Sequence, residues 1–520
     1  MNPLGRRRLI LLAIVLALIG AQALRWHSPR GSASTATAMP GTRAAPDVLQ
    51  LGRLRLQPCE IGKRGASGLT TLRAYCTDFP VPENRAAPSD RWIKLKVAIL
   101  KAEATASDAD LVTFLDGGPG GAATDDYPAI DPALEPLRSR HAILVFDQRG
   151  TGGSNALSCA SEPGAASPAA PAAIQSVSAT QDSLRRCLEQ LAGRAAPEYY
   201  TSSDAVRDLE DVRQALGGPR LDLIGISYGT RVAQQYAARY PRSVRSLVLD
   251  SPVPNTLALL SEHARNLERA LRDIFARCRM EASCVQRFGD PYATLYRLRD
   301  ALRAQPQAVE LRDPRSFQAL HRTLTAADLS ALVRFYAYSP LTAALLPLML
   351  QEAARGNYAP LLGQSQWIAD DLSERLDGGV ELSVLCAEDV DLLTARPEDD
   401  NALLGNGFIT TAKAACQVWP RGARPPDFHA PLVSALPVLI LSGQYDPVTP
   451  PDYGAQIARS LSHARQLIAN GQGHGVIGAG CIPKLVQRFI DELQPERLDA
   501  RCLERLSDTP AFIDYNGAAP

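Results

Sequence analysis

The stretch Leu223-Ile-Gly-Ile-Ser-Tyr-Gly-Thr230 decides how this sequence is interpreted. It contains the pattern Gly-x-Ser-x-Gly, with Ser227 at its centre, at the end of a short apolar run. That run, Leu221–Ile226, predicts a buried strand, and residues 231–240 have the pattern of a helix. A strand, a sharp turn and a helix form the context in which a serine is raised above the edge of a sheet. The sequence therefore predicts that Ser227 is a nucleophile.

A serine nucleophile needs a histidine that takes its proton and an acid that orients this histidine. In hydrolases that present the serine on such a turn, the chain order is Ser, then Asp or Glu, then His. Two strand-like runs downstream meet this order, because residues 437–442 lead into Asp446 and residues 464–468 lead into His474. Open α/β sheets place their sites at the C-terminal ends of strands. We therefore predict Asp446 as the acid and His474 as the base.

Few residues compete for these two roles. Of the seven histidines, only His474 follows both Ser227 and the acid and comes directly after a strand-like run. The rival acid is Asp250, because it ends the apolar run that follows the predicted helix, and some hydrolases place the acid there. Asp446 is the preferred acid and Asp250 is the alternative.

The third requirement is an oxyanion hole, a pair of backbone N–H donors aimed at the oxygen on which charge develops. One donor is the residue after the nucleophile, Tyr228. The other is expected after an early strand, and the apolar run Leu111–Leu115 leads into Asp116-Gly-Gly-Pro-Gly-Gly121. Glycines there let a substrate approach the main chain closely. We expect Gly118 to supply the second N–H, with Gly117 as the alternative.

Length and composition limit the class of protein. At 520 residues the chain exceeds an ordinary single domain, and Lys plus Arg equals Asp plus Glu at 55 each, so no basic face indicates nucleic-acid binding. Short apolar runs alternate with helical stretches, which predicts an α/β sheet. Residues 255–430 break this alternation with a largely helical pattern, which predicts an inserted cap. The predicted segments are core 51–254, cap 255–430, core 431–505 and a tail 506–520.

The N-terminal residues predict export. Three arginines, Arg6, Arg7 and Arg8, precede an apolar run over residues 9–19, and Ala21-Gln-Ala23 follows. A basic start, a short apolar core and Ala-x-Ala are typical of a secretory signal, here residues 1–23. A membrane span needs about 20 apolar residues, so an uncleaved anchor is the alternative and the only expected membrane contact. Residues 24–50 read as a flexible linker, and we expect a periplasmic or secreted protein.

Three motifs together resemble the proline iminopeptidase family of α/β-hydrolases. They are Gly117-Gly-Pro-Gly-Gly121, Phe146-Asp-Gln-Arg-Gly-Thr-Gly-Gly-Ser154 and the serine motif around Ser227. The similarity is closest to the secreted, tripeptidyl-aminopeptidase-like branch of this family. It implies an α/β-hydrolase fold with a mostly parallel central sheet and an inserted, mainly helical cap. Cytoplasmic members have His before Gly-Gly-Pro-Gly, whereas this chain has Asp116, which argues against a strict proline iminopeptidase.

The cysteines fit the same destination, since disulfides persist outside the reducing cytosol. The sequence alone leaves the connectivity of ten cysteines open. Metal binding is the competing interpretation, but no Cys-x-x-Cys or His-x-x-x-His spacing supports it, so neither a metal nor an organic cofactor is expected. The resemblance implies five local pairs: Cys59–Cys76, Cys159–Cys187, Cys278–Cys284, Cys386–Cys416 and Cys481–Cys502.

The resulting hypothesis is an exported serine hydrolase that releases residues from the free N-terminus of peptides. An aminopeptidase must hold a protonated amine, and a facing carboxylate offsets the desolvation of that cation. The resemblance implies acidic residues from the cap, and Glu388 and Asp389 are the candidates, with a solvated acidic turn as the alternative. The competing functions are an esterase that uses the same triad on small substrates and a non-catalytic binding protein on the same scaffold.

Overall fold

The computed structural model describes residues 47–62, 64–65, 68–69, 71–103, 110–159, 177–313 and 317–518. The predicted signal segment, residues 1–23, and the predicted linker up to residue 46 lie outside the described residues. The linker was expected to reach residue 50, but the first strand already begins at Leu49. From Val48 onward the chain forms one compact unit.

A ten-stranded sheet runs through the centre of this unit. Its strands are numbered here in chain order, and they lie side by side in the order β1-β2-β3-β4-β6-β5-β7-β8-β9-β10. They are β1 Leu49–Leu51, β2 Leu54–Ile61, β3 Leu72–Pro82, β4 Trp92–Leu100, β5 Leu111–Leu115, β6 Ile143–Phe146, β7 Leu221–Ile226, β8 Val244–Asp250, β9 Val438–Gly443 and β10 Ala464–Ala469.

The sheet has a parallel part and an antiparallel part. Strands β6, β5, β7, β8, β9 and β10 are neighbours in this order and pair in parallel. Strands β1 to β4 pair antiparallel with one another, and β4 pairs antiparallel with β6. All residues of β5, β6 and β9 are buried, as expected of parallel strands covered on both faces. Parallel pairing brings the C-terminal ends of β5, β7, β9 and β10 to one edge, where the loops of interest begin.

Helices cover both faces of the sheet and form the insertion. Helices α1 and α14 pack on one face, and α3 and α4 pack on the other. The fourteen helices in the described residues are α1 Ala123–Arg138, α2 Val177–Leu191, α3 Ser202–Ala215, α4 Tyr228–Arg239, α5 His263–Met280, α6 Ala282–Phe288, α7 Pro291–Ala304, α8 Ala326–Tyr336, α9 Pro340–Ala354, α10 Ala359–Arg375, α11 Gly378–Glu388, α12 Gly407–Ala415, α13 Pro451–Ala458 and α14 Ile482–Glu492.

Helices α5 to α12 lie between β8 and β9 and form a cap over the C-terminal edge of the parallel strands. Most of them share an apolar core of their own, which includes Leu271, Phe275 and Leu332. A hairpin of strands Gln307–Arg312 and Ala319–Leu324 packs with them. The cap is thus mainly helical, as the sequence predicts, although the hairpin was not expected.

The residues assigned to the C-terminal tail pack against this cap. The N–H of Phe512 donates to the carbonyl of Ala344 on α9 at 2.9 Å, and Ile513 rests on an apolar cluster beside Cys278 and Cys284. The last described residues therefore belong to the folded unit.

Five disulfides join the cysteines in the local pairs that the resemblance implied, which confirms that expectation. The Cys386–Cys416 bond ties α11 to the residue that ends α12. None of the helices in the described part of the chain has the length and apolar character that a bilayer span requires.

Candidate active site

Ser227 lies on the turn between β7 and α4, at the C-terminal edge of the parallel strands. Its backbone has φ 53° and ψ −122°, a conformation that non-glycine residues rarely adopt. The flanking glycines make room for this turn. A Cβ on Gly229 would lie 2.2 Å from the carbonyl oxygen of Leu115, and one on Gly225 would lie 2.6 Å from the carbonyl oxygen of Gly229. Close backbone packing therefore explains both glycines of the motif, and it raises Ser227 above the sheet edge.

His474 and Asp446 lie in the loops that follow β10 and β9. The Nδ1 atom of His474 is 2.8 Å from Oδ2 of Asp446. Asp446 also accepts the N–H groups of Val448 and Thr449 on Oδ1, each at 2.8 Å, and the Thr449 hydroxyl on Oδ2. These donors hold the carboxylate plane, so that Oδ2 faces the imidazole.

The charges of this pair stabilise each other. Burial raises the pKa of Asp446, but the charge of His474 and the hydrogen bonds outweigh burial and hold it below its usual value. Burial lowers the pKa of His474, but the carboxylate of Asp446 outweighs burial and raises it. The acid therefore stays ionised and stabilises an imidazolium, as a triad requires.

Asp250, the rival acid, makes different contacts. Its carboxylate accepts the N–H of Val476 on both oxygens and that of Ile477 at 2.8 Å, and so holds the loop directly after His474. Burial raises the pKa of Asp250 to about 6, against the effect of these donors. The geometry therefore favours Asp446 as the partner of the imidazole and gives Asp250 a positioning role.

The glycine loop after β5 lies against the serine. A Cβ on Gly117 would meet the Cβ of Ser227 at 3.2 Å. The N–H of Gly117 already donates to Oδ1 of Asp116 at 2.7 Å, which favours Gly118 as the second oxyanion donor. Tyr228 begins α4, and the first N–H groups of a helix have no partner within the helix.

These loops open into a cavity of about 580 Å³ beneath the cap. A volume of this size fits a small organic ligand or a short peptide. Its core-side lining includes Gly117, Gly118, Ser227, Tyr228 and His474, and the cap side is formed by residues of α5, α7, α8, α10, α11 and α12. The predicted nucleophile, the predicted base and the expected oxyanion donors therefore face one cavity.

Comparison with known proteins agrees with this arrangement. A family model described as the alpha/beta hydrolase fold matches residues 110–478. The chain belongs to the α/β-hydrolase family. The predicted fold class and the predicted resemblance are both confirmed.

Three relatives span most of the length of this α/β-hydrolase. Serine protease Hip1 of Mycobacterium tuberculosis (strain ATCC 25618 / H37Rv) is 25% identical over 451 residues, which cover 80% of this chain and 85% of that protein. Tripeptidyl aminopeptidase of Streptomyces lividans is 25% identical over 468 residues, or 84% of each chain. Carboxylesterase B of Mycobacterium tuberculosis (strain CDC 1551) is 27% identical over 460 residues, which cover 81% of this chain and 85% of that protein.

The structure does not bring Glu388 and Asp389 into the cavity of the hydrolase. Both side chains are fully buried at the end of α11. Glu388 accepts the N–H and the hydroxyl of Ser202 at 2.7 and 2.8 Å, and Asp389 pairs with the buried Arg231 of α4 at 2.8 Å. Burial, and then the charge of Asp389, raises the pKa of Glu388 to about 8. Neither residue lies on a solvated turn, and neither side chain reaches the cavity to meet an amine. This corrects the assignment of Glu388 and Asp389 as the residues that bind the substrate amine.

Contacts of Glu388 instead connect the cap to the nucleophile turn. The hydroxyl of Ser202, which it contacts, lies 2.6 Å from the hydroxyl of Tyr228. Tyr228 is the residue whose N–H is expected in the oxyanion hole. The end of α11 therefore supports the start of α4.

Asp116, the residue that departs from the family pattern, is buried beside the oxyanion loop of this α/β-hydrolase. Its Oδ2 atom is buried as well. Burial, and then the neighbouring carboxylate of Asp126, raises the pKa of Asp116 well above its usual range. Arg375 pairs with Asp126 at 2.9 Å. The raised pKa favours the neutral form of Asp116 near the expected oxyanion site.

This arrangement predicts a decline of activity with rising pH. When the pH rises through the elevated pKa of Asp116, its new negative charge opposes the oxyanion, and the rate should fall by about tenfold or more. Asp116→Asn keeps a neutral, isosteric side chain and should remove this decline. The measurement is kcat/KM as a function of pH for both proteins. The same decline in Asp116→Asn would show that another group causes it.

Sequence reasoning missed the cap residues that meet the base. The carbonyl of Tyr338 accepts the N–H of His474 at 2.8 Å, and the two rings meet edge to face with 5.0 Å between their centroids. Arg334, His263 and Glu381 line the cavity from three cap helices. No motif marks these four residues. They lie on or just beyond helices α5, α8 and α11, and long segments of chain separate these helices.

Proposed function

We propose that this α/β-hydrolase is an exported serine aminopeptidase that releases residues from the free N-terminus of peptides. The observation that carries the proposal is that one cavity contains Ser227, His474 and a carboxylate, Glu381, that has no ion-pair partner within 4.0 Å in the described part of the chain. Such a carboxylate suits a protonated amine. The names of two relatives, serine protease and tripeptidyl aminopeptidase, also support peptide cleavage.

In the proposed mechanism, the hydroxyl oxygen of Ser227 attacks the scissile carbonyl while Nε2 of His474 takes its proton. Asp446 accepts the N–H at Nδ1 and stabilises the imidazolium. The N–H groups of Tyr228 and Gly118 hold the oxyanion. His474 then protonates the leaving amine, and the acyl-enzyme is hydrolysed by a water molecule that His474 activates.

Glu381 replaces Glu388 and Asp389 as the proposed anchor of the amine. It lies in the first turn of α11 and lines the cavity together with Leu382 and Leu385. Burial raises the pKa of Glu381, and the nearby guanidinium of Arg334 opposes this shift. An ammonium group next to the carboxylate would offset the same desolvation, so that bound substrate and ionised Glu381 stabilise each other.

The Glu381→Gln substitution should raise KM about tenfold for an anilide with a free N-terminal amine, because a charge-assisted hydrogen bond is lost. KM for an N-acetylated ester should change little. The measurement is KM for both substrates.

The control is Glu398→Gln, because Glu398 is an exposed acidic residue of the cap outside the cavity. It should leave KM for the free-amine substrate unchanged. If Glu398→Gln raised KM and Glu381→Gln did not, the anchor assignment would be wrong.

The second candidate function is an esterase with the same triad. The relative named carboxylesterase B supports it. Turnover of aminoacyl- and tripeptidyl-anilides, each with a free and an acetylated amine, compared with p-nitrophenyl esters, separates the two functions. Preference for anilides with a free amine supports the aminopeptidase, whereas turnover restricted to esters contradicts it.

Export is part of the proposal. All ten cysteines form disulfides, and disulfides persist in the periplasm or outside the cell. The signal pattern in residues 1–23 supports the same destination, with attachment through an uncleaved N-terminal segment as the alternative.

A further inference from the structure

Most acidic groups that line the cavity already have a basic partner. Glu262 pairs with Arg396 at 2.7 Å. Asp126 pairs with Arg375 at 2.9 Å, and Asp371 lies 3.7 Å from the same guanidinium. Their charges are therefore offset within the protein, and they are not free to bind a ligand of opposite charge.

Arg334 is a basic residue of the same cavity, and aromatic rings and a histidine surround it instead of acidic partners. Its guanidinium lies over the rings of Phe335 and Phe408, at 5.4 and 4.8 Å from their centroids, and NH2 is 3.3 Å from Nδ1 of His263. Across the described residues, no carboxylate lies within the 4.0 Å of an ion pair with Arg334. The aromatic faces fix the side chain, so a cation is held in the cavity without a carboxylate in ion-pair contact.

His263 does not compete for this role. Burial lowers the pKa of His263 well below its usual value, and the charges of Arg334 and His474 lower it further. The imidazole is therefore neutral, and its Nδ1 accepts a hydrogen from the guanidinium. Arg334 is held by a neutral acceptor that leaves its positive charge intact.

Arg334 lines the same cavity as Glu381, Ser227 and His474. Its charge acts on both Glu381 and His474. Tyr338, just beyond the end of α8, carries the carbonyl that binds the His474 backbone. A peptide whose amine meets Glu381 and whose scissile carbonyl meets Ser227 therefore shares this cavity with Arg334.

We propose that Arg334 binds a carboxylate side chain of the released N-terminal residues, so that the enzyme prefers peptides with Asp or Glu over those with Asn or Gln at one of these positions. The proposal rests on the aminopeptidase function proposed above and specifies its substrate class. A guanidinium without a carboxylate in contact discriminates strongly, because a neutral side chain leaves it desolvated and unpaired.

The experiment compares tripeptidyl p-nitroanilides with Glu or Gln at each of the three positions. We expect kcat/KM to favour Glu by about tenfold or more at one position. Arg334→Gln should bring this ratio close to one and reduce kcat/KM for the Gln peptide much less than for the Glu peptide. Arg334→Lys should retain part of the preference.

The control variant is Arg303→Gln, because Arg303 also lines the cavity but is exposed. In this variant the ratio of kcat/KM for the Glu peptide to kcat/KM for the Gln peptide should equal that of the unmodified protein. This result would distinguish direct binding by Arg334 from a general attraction of anions to the cavity. No preference for Glu at any position would overturn the proposal. An equal loss for Glu and Gln peptides in Arg334→Gln, with Ser227 still labelled by a fluorophosphonate probe, would overturn it as well.

Failure of the aminopeptidase function would be visible separately. If esters are cleaved but no anilide is, the peptidase proposal fails. The role of Arg334 is then tested by the ratio of kcat/KM for the p-nitrophenyl ester of glutaric acid to kcat/KM for the p-nitrophenyl ester of pentanoic acid. Preference for the carboxylate-bearing acyl group that disappears in Arg334→Gln would retain the role of Arg334. Its absence would overturn this role independently of the peptidase proposal.

Discussion

The Ser227→Ala substitution should lower kcat by on the order of 10⁵-fold, because loss of the nucleophile removes the acyl-enzyme route entirely. The protein should still fold, because the hydroxyl faces the cavity and alanine is no larger than serine. The measurements are kcat with the best anilide or ester, the melting temperature, and labelling by a fluorophosphonate probe, which should be absent.

A matched control is Ser330→Ala, which removes another hydroxyl of the same cavity. Ser330 donates to the carbonyls of Ala326 and Leu403 within the cap. This variant should keep its activity within a few fold and should still be labelled. Near-normal turnover or labelling in Ser227→Ala would contradict the mechanism. Absence of turnover and of labelling in the unmodified protein would favour the binding-protein hypothesis.

Asp446→Asn should lower kcat by about 10⁴-fold, because an amide presents the wrong group to Nδ1 and favours the wrong imidazole tautomer. The N–H groups of Val448 and Thr449 still find an acceptor in the asparagine oxygen, so the loop should keep its shape. The measurement is kcat together with its pH profile. Loss of the carboxylate that raises the pKa of His474 should also move the acidic decline of activity to lower pH.

Asp250→Asn provides the contrast. Its carboxylate receives N–H groups from Val476 and Ile477, so substitution removes an acceptor and should lower the melting temperature. Activity should fall far less than in Asp446→Asn, because the imidazole keeps its partner. If Asp250→Asn were the more damaging change at a temperature where both variants are folded, Asp250 would be the acid.

The parallel part of the sheet could be predicted from sequence because its strands are buried on both faces. Such strands are continuous apolar runs, as in Leu111–Leu115 and Val438–Gly443, and the chemistry follows at their C-terminal ends. The serine turn and the two loops that carry Asp446 and His474 were predicted in this way. The helix after the serine begins at Tyr228 rather than at residue 231, since the tight turn places the next residue directly in the helix.

The antiparallel strands β1 to β3 were not predicted. Strand β2, Leu54–Ile61, alternates buried and exposed residues and contains proline, cysteine and charged residues. Such a strand shows no continuous apolar run in the sequence. It becomes recognisable as a strand only through its backbone pairing with β3. The same holds for the hairpin in the cap.

The sequence by itself determined the residue types and the order of the proposed catalytic groups, because a strand, a turn and a helix are local features with local signals. Only the tertiary structure decided which charged groups face the cavity. Glu381 and Glu388 lie two turns apart on one helix, about 10 Å along its axis, yet Glu381 lines the cavity and Glu388 binds Ser202. Side chains from α3 and α4, distant in sequence, surround the end of α11, and burial and partners decide what a carboxylate can do.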